Sequence, residues 1–481
     1  MIKNINDANT LALSKSEMKD YGYRVVDVIV EHFDNQNSKS PVVNASREKM
    51  DALFSENIPE KGTEASKVLE FVVDKVLSQN NIPSHPKFYS FVPGPSNYIS
   101  AMADTLATGF NVFSGGWAAS PAAAEIEIVT INWLLKLFKF PNKKGGGLFT
   151  SGGSMANLTA LVTARRQKCR DDFSNAVIYM SNQTHSSNIK ALKTIGFKKE
   201  QVRVVPTDLD FKISINKLKN SIAIDKINGF NPFCIIANAG TTNTGSVDQL
   251  DEIAAICKIE DIWFHVDGAY GGAGILSKKG AKLLKGIEKA DSLTIDPHKW
   301  FFQPYEMGCL LVRNHKWLSS TFSEKPEYLR DVEGNKSEIN FYDHGIQLTR
   351  RFRALKLYMS IKTFGLSAFK KAITYNIDLT ESLEVLLRKS PNWEVVSHAT
   401  LAVINFRYNP ISKKYSEKKL DHFNQEISRR IITSEEALLV TTILQGKVVL
   451  RMCLINPRTT IKDVEQTLDK CLSFVEEILI E

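Results

Sequence analysis

The chain has 481 residues, 43% hydrophobic and 24% charged, an ordinary globular composition with room for two or three domains. Its net charge of +8 sets 61 basic against 53 acidic residues; the lysines mostly alternate with acids, which describes a solvated surface and excludes a phosphate-tracking stripe for nucleic acid. No apolar run is long enough to span a membrane, the start MIKNINDANT lacks a signal peptide's apolar stretch, and six scattered cysteines without a C-x-x-C pair point to a reducing cytoplasm.

Residues 1–84 read as an N-terminal helical segment, with Val68, Leu69, Val72, Val73, Val76 and Leu77 at helical spacing. Within 85–365, from about residue 145 onward, short apolar runs (AVIYMS, VRVVP, FCIIANAG, IWFHVDGA, SLTID, CLLVR) alternate with helix-like stretches. That alternation is the α/β signature of a large, mostly parallel sheet covered on both faces. Residues 366–481 combine helical stretches with strand-like EVVS, LAVINFRY and KVVLRMCLI, and are expected to form a smaller C-terminal α+β domain.

Three segments carry chemistry. In LFTSGGSMAN an apolar run ends in a Ser/Gly turn before a helix-like stretch, so backbone N–H groups near Gly153 and the Ser154 hydroxyl can meet an anion. Taken alone it is equally a tight turn with a serine cap, and no Gly-Lys-Ser/Thr follows to make it a nucleotide loop. In IWFHVDGAYGG, Asp267 ends an apolar strand, where ligands of open α/β sheets collect. In SLTIDPHKW, Lys299 stands among apolar and aromatic residues, where burial is expected to favour a neutral amine able to form a Schiff base. A single such lysine is otherwise one that lays its stem on apolar surface. Together the three meet the needs of pyridoxal phosphate: a lysine for its aldehyde, a cradle for its phosphate and a carboxylate for its pyridine nitrogen. His185, in QTHSS, is a candidate to cover one ring face.

In their order TSGGSMAN, QTHSS, NAGTT, HVDGAYGG and DPHKW resemble the group II pyridoxal-phosphate-dependent decarboxylases of fold type I, over roughly residues 80–365. The upstream HPKF and WAASPA are most similar to the aromatic-L-amino-acid decarboxylases within that family. The resemblance implies that Lys299 is the Schiff-base lysine, Asp267 the partner of the pyridinium nitrogen and His185 the ring-stacking histidine. It further implies Gly153, Ser154 and His298 around the phosphate, Thr242 and Ala269 at the ring, and Arg350 as a support of the active site, counted among the substrate-binding residues. A homodimer with active sites at the subunit interface follows from the same resemblance. So does a role for Tyr328, at the head of the loop-like RDVEGNKSE, as proton donor; relatives with phenylalanine there make aldehydes.

For the substrate, Phe88, Phe91, Pro93 and Phe113 form an aromatic-rich region expected to receive an aromatic side chain, although each is equally a core residue. Gly115-Gly116 is expected to enlarge the pocket for an indole, whereas Thr349 stands where relatives preferring indoles carry glycine; phenylalanine, tyrosine and tryptophan all stay open. Other readings are a glutamate or histidine decarboxylase, an aldehyde synthase or aminotransferase on the same cofactor, and a scaffold without turnover. A metal-dependent hydrolase using His265, Asp267, Asp296 and His298 is another, without any H-E-x-x-H or Cys/His zinc spacing.

Overall fold

The computed structural model of the protein describes residues 11–324 and 338–480. Seven strands, β1 (Gly146–Thr150), β2 (Ala176–Ser181), β3 (Val202–Val205), β4 (Asn231–Asn238), β5 (Trp263–Asp267), β6 (Ser292–Ile295) and β7 (Gly308–Val312), form a sheet in the order β1-β7-β6-β5-β4-β2-β3. Strands β2 to β6 pair in parallel, and β7 is antiparallel to both β1 and β6. Two reversals cancel, so β1 runs with the parallel set and its carboxyl end opens on the same edge as those of β5 and β6.

Alternation builds the two faces. Val177, Tyr179, Ile235, Ala237, Phe264 and Val266 point into one apolar cluster, and Ile178, Met180, Cys234, Ile236 and Trp263 into another. Each fully buried apolar side chain of this kind contributes roughly 1.5–3 kcal/mol. The second face is covered by helix Gly153–Cys169, whose Leu161 and Ala164 join its cluster. On β5 this period places Trp263, His265 and Asp267 in a row beneath that helix.

A second, antiparallel sheet follows: β8 (Trp393–Thr400), β9 (Val403–Tyr408), β10 (Val440–Leu444) and β11 (Lys447–Cys453), in the order β10-β11-β9-β8. Helices Glu417–Thr433 and Ile461–Ile480 pack on it through Phe423, Ile427, Leu468 and Cys471. The long helix Ala354–Lys389 bends at Gly365, at φ 70°, so that Leu357 serves the first core and Leu383 and Leu387 the second. The expected fold class, a mostly parallel α/β sheet followed by a smaller α+β region, is the one observed.

Residues 84–91 belong structurally with the second sheet. Tyr89 donates its N–H to the Leu438 carbonyl and accepts from Cys453 N–H, and its ring is buried in the second core. The predicted division before residue 85 therefore falls at the start of a strap that runs onto the C-terminal region. At the N-terminus, helix Lys15–Asp34 is held by a Ser14–Glu17 capping box yet buries none of its residues, leaving Tyr23, Val26 and Val30 exposed. Among the described residues no helix is long and apolar enough to cross a membrane.

Candidate active site

A cavity of about 310 Å³ opens where β1, β4, β5 and β6 end. Lys299, Asp267, His185, Gly153, Ser154, Thr242, Ala269 and His298, far apart in sequence, all line it. Parallel strands deliver their carboxyl ends to one edge, and the turns leaving them supply the side chains.

Asp267 closes the inner end. Its Oδ2 accepts N–H groups from Asn157 Nδ2 at 2.9 Å and Asn188 Nδ2 at 2.8 Å, and Oδ1 accepts from Ala269 N at 3.2 Å. Burial pushes this carboxyl up, but His265, the Lys299 ammonium and the Asn188 amide outweigh it and hold Asp267 below its ordinary value. It stays ionised at neutral pH, as a partner for a cationic ring nitrogen must.

Lys299 lies in the turn after β6, its N–H bonded to the Asp296 carbonyl. Its Nζ is 3.0 Å from Asp296 Oδ2. Burial alone would lower Lys299, yet Asp296 and then Asp267 raise it. The neutral amine expected from apolar neighbours is thus corrected to an ammonium: the turn brings in a carboxylate three residues upstream that hydropathy does not reveal. Gly94 crosses this turn so closely that a Cβ there would lie 1.8 Å from the His298 carbonyl oxygen.

His185 caps helix Ser186–Thr194, its Nδ1 accepting from Ser187 N at 3.2 Å and lying 2.8 Å from Ser187 Oγ. Burial lowers its pKa against the pull of Asp267, so it presents a neutral, flat ring to the cavity. At the other end Ser151, Gly152, Gly153 and Ser154 form the start of the helix Gly153–Cys169. A Cβ on Gly153 would meet Asp296 Oδ2 at 2.7 Å, so only glycine lets the helix start this close to the lysine turn. His298 is fixed by the Met307 carbonyl, 2.8 Å from Nδ1, and burial lowers its pKa.

These residues fit pyridoxal phosphate. Beyond the amine, carboxylate, flat ring and helix N-terminus, two buried polar atoms of the lining, Tyr270 Oη and Asp296 Oδ1, have no hydrogen-bond partner in the protein. Such atoms suit a cavity that receives a polar ligand.

The remaining expected residues lie elsewhere. Phe88 is buried with Val42 and Leu438, Pro93 is buried and Phe113 half-buried, while Phe91 is exposed; none lines the cavity. The space beside Gly115 and Gly116 is not free, since a Cβ on Gly115 would be 2.4 Å from Phe113 Cζ and one on Gly116 2.8 Å from Tyr342 Cε1. The enlarged indole pocket read from these glycines is corrected: aromatic rings fold back over both. Arg350 is almost fully buried, its Nη2 2.6 Å from Glu127 Oε1 and donating to the Phe149 carbonyl at 2.8 Å. It supports the end of β1 from behind the cavity. Tyr328 lies outside the described residues.

Sequence reading missed Arg451, on β11. Its Nε donates to the Thr242 carbonyl at 2.8 Å and its Nη1 to the Phe91 carbonyl at 2.6 Å, with Nη2 left unpartnered. The signal was an arginine inside the apolar run KVVLRMCLI. The metal reading fares differently. His265 has both ring nitrogens engaged, by Ser292 and Asn157, and among the described residues no three His, Cys, Asp or Glu side chains converge as a metal-binding group.

Residues 47–409 match the model of the pyridoxal-dependent decarboxylase conserved domain. The chain is 47% identical to an aromatic-L-amino-acid decarboxylase of Bacillus atrophaeus, covering 98% of both chains. It is 30% identical to a phenylacetaldehyde synthase of Arabidopsis thaliana, over 94% of this chain and 95% of that one. Among solved structures, Oryza sativa TDC with PLP and tryptamine superposes with a TM-score of 0.92 at 25% identity, over 97% of this chain and 99% of that one.

Proposed function

The chain belongs to the pyridoxal-dependent decarboxylase family, and from that premise we propose that it removes the α-carboxyl group of an aromatic L-amino acid, releasing the amine and carbon dioxide. The observation that carries the reading is the convergence of Lys299, Asp267 and His185 on one cavity in a chain so similar throughout to an aromatic-L-amino-acid decarboxylase.

When bound, pyridoxal phosphate supplies an electron sink for the pair left by the departing carboxylate. Lys299 Nζ would hold its aldehyde carbon, His185 its ring face, Thr242 and Ala269 its ring edge, and Gly153, Ser154 and His298 its phosphate. Asp267, ionised, would favour a proton on the ring nitrogen. Trp300 and Phe301, which follow Lys299, are buried in the main apolar core and anchor the turn that carries it. Tyr328 is proposed as the donor that returns a proton to the substrate carbon, a role that rests on the resemblance of its loop.

We further propose a cytoplasmic homodimer, with domains dividing near residues 84 and 365. The uncovered apolar residues of helix Lys15–Asp34 support the dimer, the six free cysteines the reducing compartment, and the break at Gly365 the second division.

The test is a product assay of the purified protein with pyridoxal phosphate and each of the twenty L-amino acids. Amine from phenylalanine, tyrosine or tryptophan is the expected outcome. Amine from glutamate or histidine alone overturns the substrate class, and aldehyde or keto acid as main product overturns the reaction.

A further inference from the structure

Trp263, His265 and Asp267 share one face of β5, and hydrogen bonds link them through two residues of other elements. Trp263 Nε1 donates to Ser292 Oγ at 2.9 Å, Ser292 Oγ lies 2.8 Å from His265 Nδ1, His265 Nε2 lies 3.1 Å from Asn157 Oδ1, and Asn157 Nδ2 donates to Asp267 Oδ2 at 2.9 Å. Ser292 is the direct cross-strand partner of His265, and Asn157 comes down from the covering helix. All five side chains are buried, so water cannot stand in for a missing link.

The two ends set the direction of the whole chain. An indole N–H can only donate, and an ionised carboxylate can only accept. Asp267 therefore requires the Asn157 amide to face it with nitrogen, which turns the Asn157 oxygen toward His265 and requires a proton on Nε2. Burial holds His265 down at about 4, so at neutral pH it carries that proton alone. Nδ1 is then bare and takes the Ser292 hydroxyl proton, while the Ser292 oxygen takes the Trp263 N–H. The chain also branches. The second N–H of Asn157 Nδ2 goes to Ser187 Oγ at 3.1 Å, and that hydroxyl lies 2.8 Å from His185 Nδ1.

We propose that His265 is a positioning residue that sets the donor facing Asp267, the partner of the cofactor's ring nitrogen. Held as the Nε2–H tautomer by Ser292 and Trp263, it turns the Asn157 amide so that one N–H orients Asp267. The other N–H goes to Ser187 Oγ, whose hydroxyl joins the Ser187 backbone N–H in facing Nδ1 of His185. A reversed Asn157 would point its carbonyl oxygen at the Asp267 carboxylate, and the ring nitrogen's partner would lose a donor and gain a repulsion. The inference rests on the function proposed above, in which Asp267 and His185 meet the cofactor ring.

His265→Leu keeps the bulk and removes both bonds; His265→Gln restores an N–H near the Nε2 position. Fluorescence titration of the apo-proteins with pyridoxal phosphate, followed by steady-state kinetics on the loaded enzymes, reads the effect. The loss of one hydrogen bond to a charged group predicts cofactor affinity weaker by roughly tenfold to a hundredfold in the Leu variant. The fall in kcat should exceed any change in KM, and the Gln variant should recover most of both. If the Leu variant does not fold, Ser292→Ala decides, since it frees the tautomer while leaving the ring in place, and should weaken cofactor binding in the same direction. Wild-type affinity and kcat in a folded Leu variant, or in Ser292→Ala where the Leu variant fails to fold, overturn the proposal. Equal impairment of the Leu and Gln variants also overturns it and assigns His265 to packing. Failure of the unaltered protein to bind pyridoxal phosphate overturns the function instead, and is read in the same titration.

Discussion

Lys299 Nζ lies 3.0 Å from Asp296 Oδ2, and this pair sets how the apo-protein meets its cofactor. Asp296 raises Lys299 above its ordinary value despite burial, so the ammonium persists across the neutral range and only its minor neutral fraction can attack an aldehyde. The rate at which Lys299 captures pyridoxal phosphate should therefore climb with pH, without a plateau near neutrality. Asp296→Asn removes the stabilising charge, lowers Lys299, and should move the rise to lower pH. Stopped-flow absorbance across pH 6 to about 10 checks both the slope and the direction of the shift.

Asp267→Asn keeps the shape of the side chain and removes its charge. With its oxygen toward the Asn157 and Asn188 N–H donors the new side chain gives up only the 3.2 Å bond from Ala269 N–H, so thermal unfolding should move little, whereas kcat should fall on the order of a hundredfold or more. A variant with near-normal kcat would remove Asp267 from the reaction.

Tyr328→Phe deletes one hydroxyl. The expected outcome is a shift of product from amine toward aldehyde, measured by chromatography of both under air. An unchanged amine yield would leave the protonation to another group.

Arg350→Met tests a structural assignment. The guanidinium and Glu127 form a pair buried on both sides, which also collects the Ser114 and Phe149 carbonyls. Removing one member strands the other, at a cost of roughly 3–5 kcal/mol. Chemical denaturation should show that loss, while KM measured on the folded fraction stays near the unaltered value. A change confined to KM would return Arg350 to the substrate.

Local chemistry was the legible part of this molecule. Asp267 could be placed because a carboxylate that ends an apolar strand has one sensible position in an α/β sheet, and Lys299 because its turn follows the next strand. What stayed hidden depended on distant partners or on turn geometry. The antiparallel entry of β7, the Glu127 beneath Arg350 and the reach of Arg451 from the second sheet to Thr242 all join segments with no shared local pattern. Asp296 was in plain view, but that its carboxylate reaches Lys299 follows only from the fold of the turn. At Gly115 the error was one of volume: a missing side chain was read as empty space, and Phe113 occupies it.

The strap at residues 84–91 has a consequence for how the chain is made. The Ser90 hydroxyl bonds the carbonyl of Leu438, 348 residues later. At about 5–20 residues per second, a ribosome needs roughly 17 to 70 seconds to cover that distance. Throughout that interval Tyr89 has no core to enter, because its burial site on the second sheet has not yet been synthesised. The nascent chain thus carries an apolar segment that must be kept from wrong partners until the second sheet has been made, and shielding by a chaperone in that window should set the yield of active protein.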